Sequence, residues 1–318
     1  VDYAVTGASG FIGSHVCKRL LEQGHHVTAF GNTAPPKGSW RRKIWDQTHK
    51  QVTIDLTATD PNFNGMDRVI HLAADMGGVG FFTANDYWPY IKNSRMTFRV
   101  LGAIGFWETP RSFVAASACA YPTEPQMHEG NPPRLAEWML ERGTPDQMYG
   151  REKLMLTRLA ERHPQDVRVG LLHTVYGIGQ EHEGERVKFP MAAAVKAIHA
   201  RETGKVEMWG NGQQMRSYLY VDDAVRKILT MLNNHDYQGP TNIGFDGAVT
   251  CLQIQQLCNR LAGVPDAEIV TNTAKPSGVM ARDCSNDKWR TLYGNEILIG
   301  YDEGFRRIVD WLDDNGPY

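Results

Sequence analysis

Short apolar runs recur through the first half of the chain, DYAVT, HHVTAF, QVTI, RVIHLAA, SFVAAS and VRVGLLH, and read as strands. Between them lie longer stretches with apolar residues at helical spacing, FIGSHVCKRLLEQG, YIKNSRMTFRVLGAIG and QMYGREKLMLTRLAERH. Alternation of this kind predicts a parallel sheet with helices on both faces. After about residue 170 the pattern changes. A helix is expected over PMAAAVKAIHA, short strands at VEMW and SYLYV, and helices at VDDAVRKILTML, CLQIQQLCNRLAG and EGFRRIVDWLDD. Glycine and proline punctuate this part, which reads as a smaller substrate-side lobe. The segment APPKGSWRRKIW reads as a polar, Trp-bearing loop, and no internal repeat is visible.

The glycine pattern sharpens the fold. TGASGFIG follows the first strand and opens the first helix, with Gly7, Gly10 and Gly13 in GxxGxxG spacing around Phe11 and Ile12. Glycines there permit a tight turn and close approach of backbone to a pyrophosphate, which the helix N-terminus then faces. HLAA after a later strand (Leu72, Ala73, Ala74) and Asp55 with Leu56 closing QVTIDL complete the context of a dinucleotide site. The expected fold class is thus α/β, a Rossmann-type doubly wound parallel sheet with a smaller mixed α/β C-terminal lobe. Residues 1–170 would bind the dinucleotide and 171–318 the substrate, some later elements returning to the first domain. The second strand ends HVTAFGN, with Gly31 and Asn32 where an acid normally selects NAD. NAD is the expected cofactor, and NADP stays open. Lys37, Arg41 and Arg42 would meet a 2′-phosphate or be solvated loop charges.

Length and charge narrow the function classes. At 318 residues the chain accommodates one large domain and a smaller one. A net charge of −2 leaves no basic footprint for nucleic acid. No apolar run approaches membrane-spanning length, and the first residues read as a strand and not a signal peptide. A cytoplasmic enzyme, partnered by small molecules or copies of itself, is expected. Five cysteines without zinc-type spacing (Cys17, Cys119, Cys251, Cys258, Cys284) indicate neither a disulfide framework nor a metal site. Cys17, Cys251 and Cys258 read as buried small hydrophobes.

Tyr149 and Lys153 stand four apart in QMYGREKL, on one face of a helix, with Ser117 and Cys119 upstream in VAASACAYP. Lys153 beside the phenol is expected to lower its pKa and make Tyr149 a base. The thiol is the unusual member, since a Tyr-assisted hydride transfer does not require it. Asp75, Met76, Gly77 and Gly78 follow the fourth strand, at the sheet edge where ligands bind in this class. The two glycines would let amides approach a sugar closely or serve a loop needing positive φ. Trp209 in VEMWGNG would border a nucleotide base or belong to the core.

The glycine spacing, the YxxxK pair and the upstream serine resemble the extended branch of the short-chain dehydrogenase/reductase superfamily, over nearly the whole chain. Within it, HLAADMGGVGFF, ASACAYP, MYGREKL, GERVKFPMAAA and VEMWGNGQQMRSYLYVDD are similar in order and spacing to the GDP-mannose 3,5-epimerase family. That resemblance implies a nucleotide-diphosphate sugar as substrate and a retained NAD. It makes Cys119 and Lys188 the acid/base pair, Ser117, Tyr149 and Lys153 the hydride-transfer group, and Arg216 and Arg282 ligands of the diphosphate. It also implies a homodimer joined through a helix bundle. Transient oxidation at sugar C4 would acidify the hydrogens at C3 and C5, so that two groups on opposed faces invert a centre. Thr174 and Met280 depart from the family, which shows Asn and Arg there. A GDP-fucose synthase-like epimerase-reductase using NADPH is the enzyme alternative, though that family uses a His where Lys188 stands. A redox-sensing dinucleotide binder without catalysis is the non-enzyme alternative.

Overall fold

A computed structural model describes residues 1–128, 132–145 and 147–316. The first half alternates β1 (Asp2–Thr6), α1 (Phe11–Glu22), β2 (His26–Gly31), α2 (Trp40–Gln47), β3 (Lys50–Thr53), β4 (Arg68–His71), α3 (Val79–Ala84), α4 (Tyr87–Phe106), β5 (Arg111–Ser117), α5 (Met148–Glu161) and β6 (Asp166–Leu172). There follow β7 (Thr174–Tyr176), α6 (Phe189–Thr203), β8 (Lys205–Trp209), β9 (Met215–Arg216), β10 (Tyr218–Tyr220), α7 (Val221–Asn233), β11 (Thr241–Ile243), β12 (Val249–Thr250), α8 (Cys251–Leu261), β13 (Glu268–Asn272), β14 (Ala281–Arg282), α9 (Asp287–Tyr293) and α10 (Tyr301–Asn315).

Seven strands form one sheet in the order β11-β6-β5-β4-β1-β2-β3, every neighbouring pair parallel. Parallel strands covered on both faces are apolar nearly throughout, and Tyr3, Ala4 and Val5 of β1 are all buried. Val16 and Leu20 of α1 pack with Ile228 and Leu232 of α7 on one face. Val100 and Ile104 of α4 and Leu156 of α5 cover the other. The order reverses between β1 and β4, so the crevice for a ligand opens at their carboxyl ends. Residue 170 falls inside β6, and β11 returns to pair with it. The remaining strands form small sheets, β12-β9-β14, β13-β8 and β10-β7. Among the described residues no helix is long and apolar enough to cross a membrane.

Two expectations are corrected. The segment read as a polar loop folds from residue 40 into α2, because Ser39 caps it by accepting the Arg42 N–H at 3.1 Å and Ile44 and Trp45 turn inward. Cys17 and Cys258 are buried, but Cys251 is only half-buried, since it opens α8 at the edge of the small sheet and lies 3.8 Å from the Tyr218 hydroxyl.

Candidate functional site

The turn after β1 is shaped by contacts that no side chain could share. Gly7 has a φ of +72°, and a Cβ there would meet the Ala73 nitrogen at 2.7 Å. A Cβ on Gly13 would meet the Gly7 oxygen at 2.1 Å, which presses α1 onto the turn. Gly10 donates to the Gly7 oxygen at 3.0 Å and caps α1 without any side-chain acceptor. The first turn of α1, holding Phe11 and Ile12, thus begins with backbone N–H groups that no N-cap side chain satisfies, the arrangement an anion uses. Leu72, Ala73 and Ala74 lie half-buried beside this cradle, in a loop, since β4 ends at His71. Beyond β3, Asp55 is exposed and Leu56 buried; hydrogen bonds from Thr57 hold the Asp55 carboxyl below its usual range. This cradle fits a dinucleotide.

At the end of β2 a Cβ on Gly31 would meet Ser9 Oγ at 2.7 Å and the Trp45 ring at 3.0 Å, so the place of the missing acid is filled by protein. Arg41 pairs with Glu181 at 3.1 Å and Arg42 with Asp46 at 2.8 Å, while Lys37 is exposed.

The candidate catalytic side chains meet at the carboxyl end of β5. Ser117 closes that strand, accepts the Cys119 N–H at 3.1 Å and hydrogen-bonds the Tyr149 phenol. Gly150 lets α5 lie against this turn, for a Cβ there would meet the Cys119 oxygen at 2.1 Å. Tyr149 is buried with Phe81 and Phe82, and Met76 and Cys119 border them. The expected lowering of the Tyr149 pKa is not what this geometry produces. Burial pushes the phenol well above its ordinary value, Cys119 and Glu152 push the same way, and the Ser117 hydrogen bond and Arg282 offset only part. Lys153 Nζ instead lies 3.0 Å from Glu152 Oε2, and it is 5.5 Å from the Tyr149 ring centroid. Its charge is thus spent on a buried carboxylate, which also accepts from Thr97 Oγ1 at 2.7 Å.

Lys188 caps α6, and its Nζ donates to Met76 Sδ at 3.4 Å. The residue is half-buried, but its ammonium end is enclosed; that burial lowers its pKa, and Cys119 nearby opposes the shift. Cys119 Sγ in turn accepts from Arg282 Nη1 at 3.0 Å, and Arg282 Nε donates to Gln126 Oε1 at 2.5 Å. Arg216 donates to the carbonyls of Met215 at 2.7 Å and Val279 at 2.7 Å, so it is neither a surface charge nor a member of an ion pair with a carboxylate among the described contacts. Met280, Met215 and Ala281 line a neighbouring recess of about 330 Å³. Trp209 is no core residue, being 37% exposed, with Lys196 and Lys275 over its ring at 5.8 and 5.3 Å.

Neither Gly77 nor Gly78 has positive φ, which corrects that reading. Their small size serves close packing: a Cβ on Gly77 would meet Phe81 at 2.8 Å, and one on Gly78 the Val187 oxygen at 2.6 Å. Sequence reasoning singled out neither Glu152, Gln126 nor Arg186, whose guanidinium binds Asp75 and Met76. The segment 177–188 is also fastened to the first helices of the chain by Ile178, whose oxygen meets His15 Nε2 at 3.0 Å, and by the Arg41–Glu181 pair.

This cradle and cluster lie on a doubly wound sheet of the Rossmann type, with the candidate site at its carboxyl edge. Residues 3–244 match the NAD dependent epimerase/dehydratase family, and the chain belongs to it. It is 31% identical over 322 residues to GDP-mannose 3,5-epimerase 1 of Oryza sativa subsp. japonica, covering 97% of this chain and 81% of that one. It is 30% identical over 324 residues to GDP-mannose 3,5-epimerase of Arabidopsis thaliana, with 97% and 81% covered. Among solved structures, UDP-glucose 4-epimerase of Thermotoga maritima with UDP-glucose shares the fold, at a TM-score of 0.83, 21% identity and 99% coverage of each chain. MoeE5 in complex with UDP-glucose and NAD is similar at a TM-score of 0.79 and 26% identity, with 99% of each chain covered.

Proposed function

We propose that the protein is a nucleotide-sugar epimerase, acting on GDP-mannose at C3 and C5. The observation that carries this reading is the convergence of Cys119 and Lys188 on the space bordered by Tyr149, Ser117 and Met76. The glycine cradle would hold NAD, with Leu72 to Ala74, Asp55 and Leu56 beside it. A bound nicotinamide supplies the means to oxidise the sugar at C4 and to restore it, with no net redox change.

Tyr149 takes the proton of the 4-hydroxyl and later returns it. The first of these transfers requires Tyr149 as phenolate, and the Ser117 hydrogen bond and the Arg282 charge are the groups that favour that form. Once C4 is a carbonyl, the adjacent C–H bonds become acidic enough for a side chain to break. A neutral Lys188 amine, favoured by burial, takes the proton at one face while the Cys119 thiol gives one at the other, and the resulting ammonium and thiolate exchange these roles in the next inversion. Arg282 and Arg216 would meet the diphosphate and Trp209 the base of the substrate. We further propose a division into a dinucleotide half, 1–170, and a substrate half, 171–318, a cytoplasmic location, and a homodimer. The dimer is supported by the exposed aromatic rings of α4, where Phe98 and Phe106 are 56% and 77% exposed.

The test is incubation with GDP-mannose in deuterated water without added cofactor. Deuterium at C3 or C5 is the expected result, and a sugar recovered unlabelled overturns the reading. Cys119→Ser should slow this exchange severely while bound dinucleotide remains. One observation favours the reductive alternative, namely that no acid stands at Gly31 to exclude NADPH; a requirement for stoichiometric NADPH would select it.

A further inference from the structure

Lys188 owes its place to two loops that interlock far from one another in sequence. On one side is the turn Asp75–Gly78 after β4, pinned to α4 by Asn93, which accepts the Asp75 N–H at 2.7 Å and donates to the Asp75 oxygen at 2.9 Å. On the other is the segment 184–188. Arg186 Nη1 donates to Asp75 Oδ1 at 2.7 Å and to the Met76 carbonyl at 2.8 Å, and its guanidinium lies 4.1 Å over the Phe81 ring. Val187 O fills the space a side chain on Gly78 would need, and the Lys188 amine ends on Met76 Sδ.

We propose that Arg186 is a positioning residue for Lys188: by tying Asp75 and Met76 to the 184–188 loop it fixes the amine against the Met76 thioether, facing Cys119. The guanidinium suits this task because it reaches a carboxylate and a carbonyl together while its flat face covers Phe81; an ammonium would behave as a point charge. A thioether is a weak acceptor, so it orients an N–H without the stabilisation a carboxylate would give an ammonium. The titratable group that acts on the amine is Cys119 from the turn after β5; the clamp itself joins Asp75 of the loop after β4 to Arg186 and to Lys92 of α4, which lies 3.3 Å from Asp75. With the clamp closed, water is kept from the amine; with it open, the amine is hydrated and regains the ordinary affinity for a proton.

The inference rests on the epimerase reading only for what Lys188 does, so its test needs no substrate. Trace acetylation with acetic anhydride over a pH series, read by peptide mass spectrometry, gives the titration midpoint of Lys188 in the full chain. Arg186→Gln should raise that midpoint toward the ordinary lysine value of about 10.4, cutting reactivity near neutral pH by about tenfold for each unit of rise. Arg186→Lys should recover part of the difference, because it keeps a charge for Asp75. An unchanged midpoint in Arg186→Gln overturns the proposal. So does an equal shift at the remote buried Lys227, which would report general loosening. If the wild-type protein fails to exchange deuterium into GDP-mannose but Lys188 still shifts, the epimerase reading fails and the positioning role stands.

Discussion

Gly31 shows how a single missing side chain carries information. Ser9 and Trp45 occupy the volume an acid would take, so Gly31→Asp should not install NAD selectivity. It should destabilise the protein by about 1–3 kcal/mol, the usual effect of overpacking, and weaken dinucleotide binding, as denaturant titration and calorimetry would measure. In the wild type, with no acid to repel a 2′-phosphate and with Arg41 and Arg42 already paired, the affinities for NAD and NADP should lie within about tenfold, or roughly 1.4 kcal/mol. A far larger preference measured for either would contradict this. Two buried histidines make a second prediction at this scale. Burial, with Lys153 adding to it, lowers His71 to about 3, and burial lowers His173 to about 4. The unfolded chain, titrating near 6.5, then binds more protons than the folded one. Stability is therefore full above about pH 6.5 and falls as pH drops toward these values, by about 1.4 kcal/mol per pH unit for each histidine. Urea unfolding at stepped pH should show this slope, and replacing His71 by Gln should flatten it. The glycine cradle was legible in the sequence because its logic is local, a turn and the start of a helix. Gly31 was legible only as an absence, since the residues that fill its space arrive from other segments.

On the scale of elements, α5 is where spacing in the sequence foretells a meeting of side chains but not their charge. Helical spacing does put Tyr149 and Lys153 together, but whether a lysine lowers a phenol depends on what else the lysine touches. Glu152, one position away, is fully buried and takes the ammonium. Glu152→Gln keeps the shape and the Thr97 contact and leaves Lys153 without its counter-charge, a loss of about 3–5 kcal/mol for a buried pair. Thermal unfolding of the variant should show it; a midpoint equal to the wild type would mean that water or another group neutralises Lys153. Arg186 was hidden for a different reason. It lies inside a motif that sequence comparison picks out, yet its partner Asp75 is 111 positions away, and no periodicity encodes that meeting. The helix α2 was missed because a capping serine and two inward side chains outweigh a polar composition.

For the whole molecule, alternation of strands and helices is enough to read a parallel sheet, because each strand must be apolar along its length to be covered on both sides. The two-residue strands β9, β12 and β14 leave no such trace, since they exist only through pairing with one another. The proposed dimer is tested at this scale. Replacing Phe98 and Phe106 together by Glu should leave the fold intact and give a monomer by light scattering, whereas an unchanged mass would remove α4 from the interface. The segment 177–188 is stitched at Ile178, Glu181 and Arg186 to His15, Arg41 and Asp75 of the early part of the chain. A dinucleotide lodged beneath such a seam leaves only when several stitches part at once. The protein is thus expected to carry its dinucleotide through purification, to exchange it slowly for label added later, and to acquire it most readily when refolded in its presence.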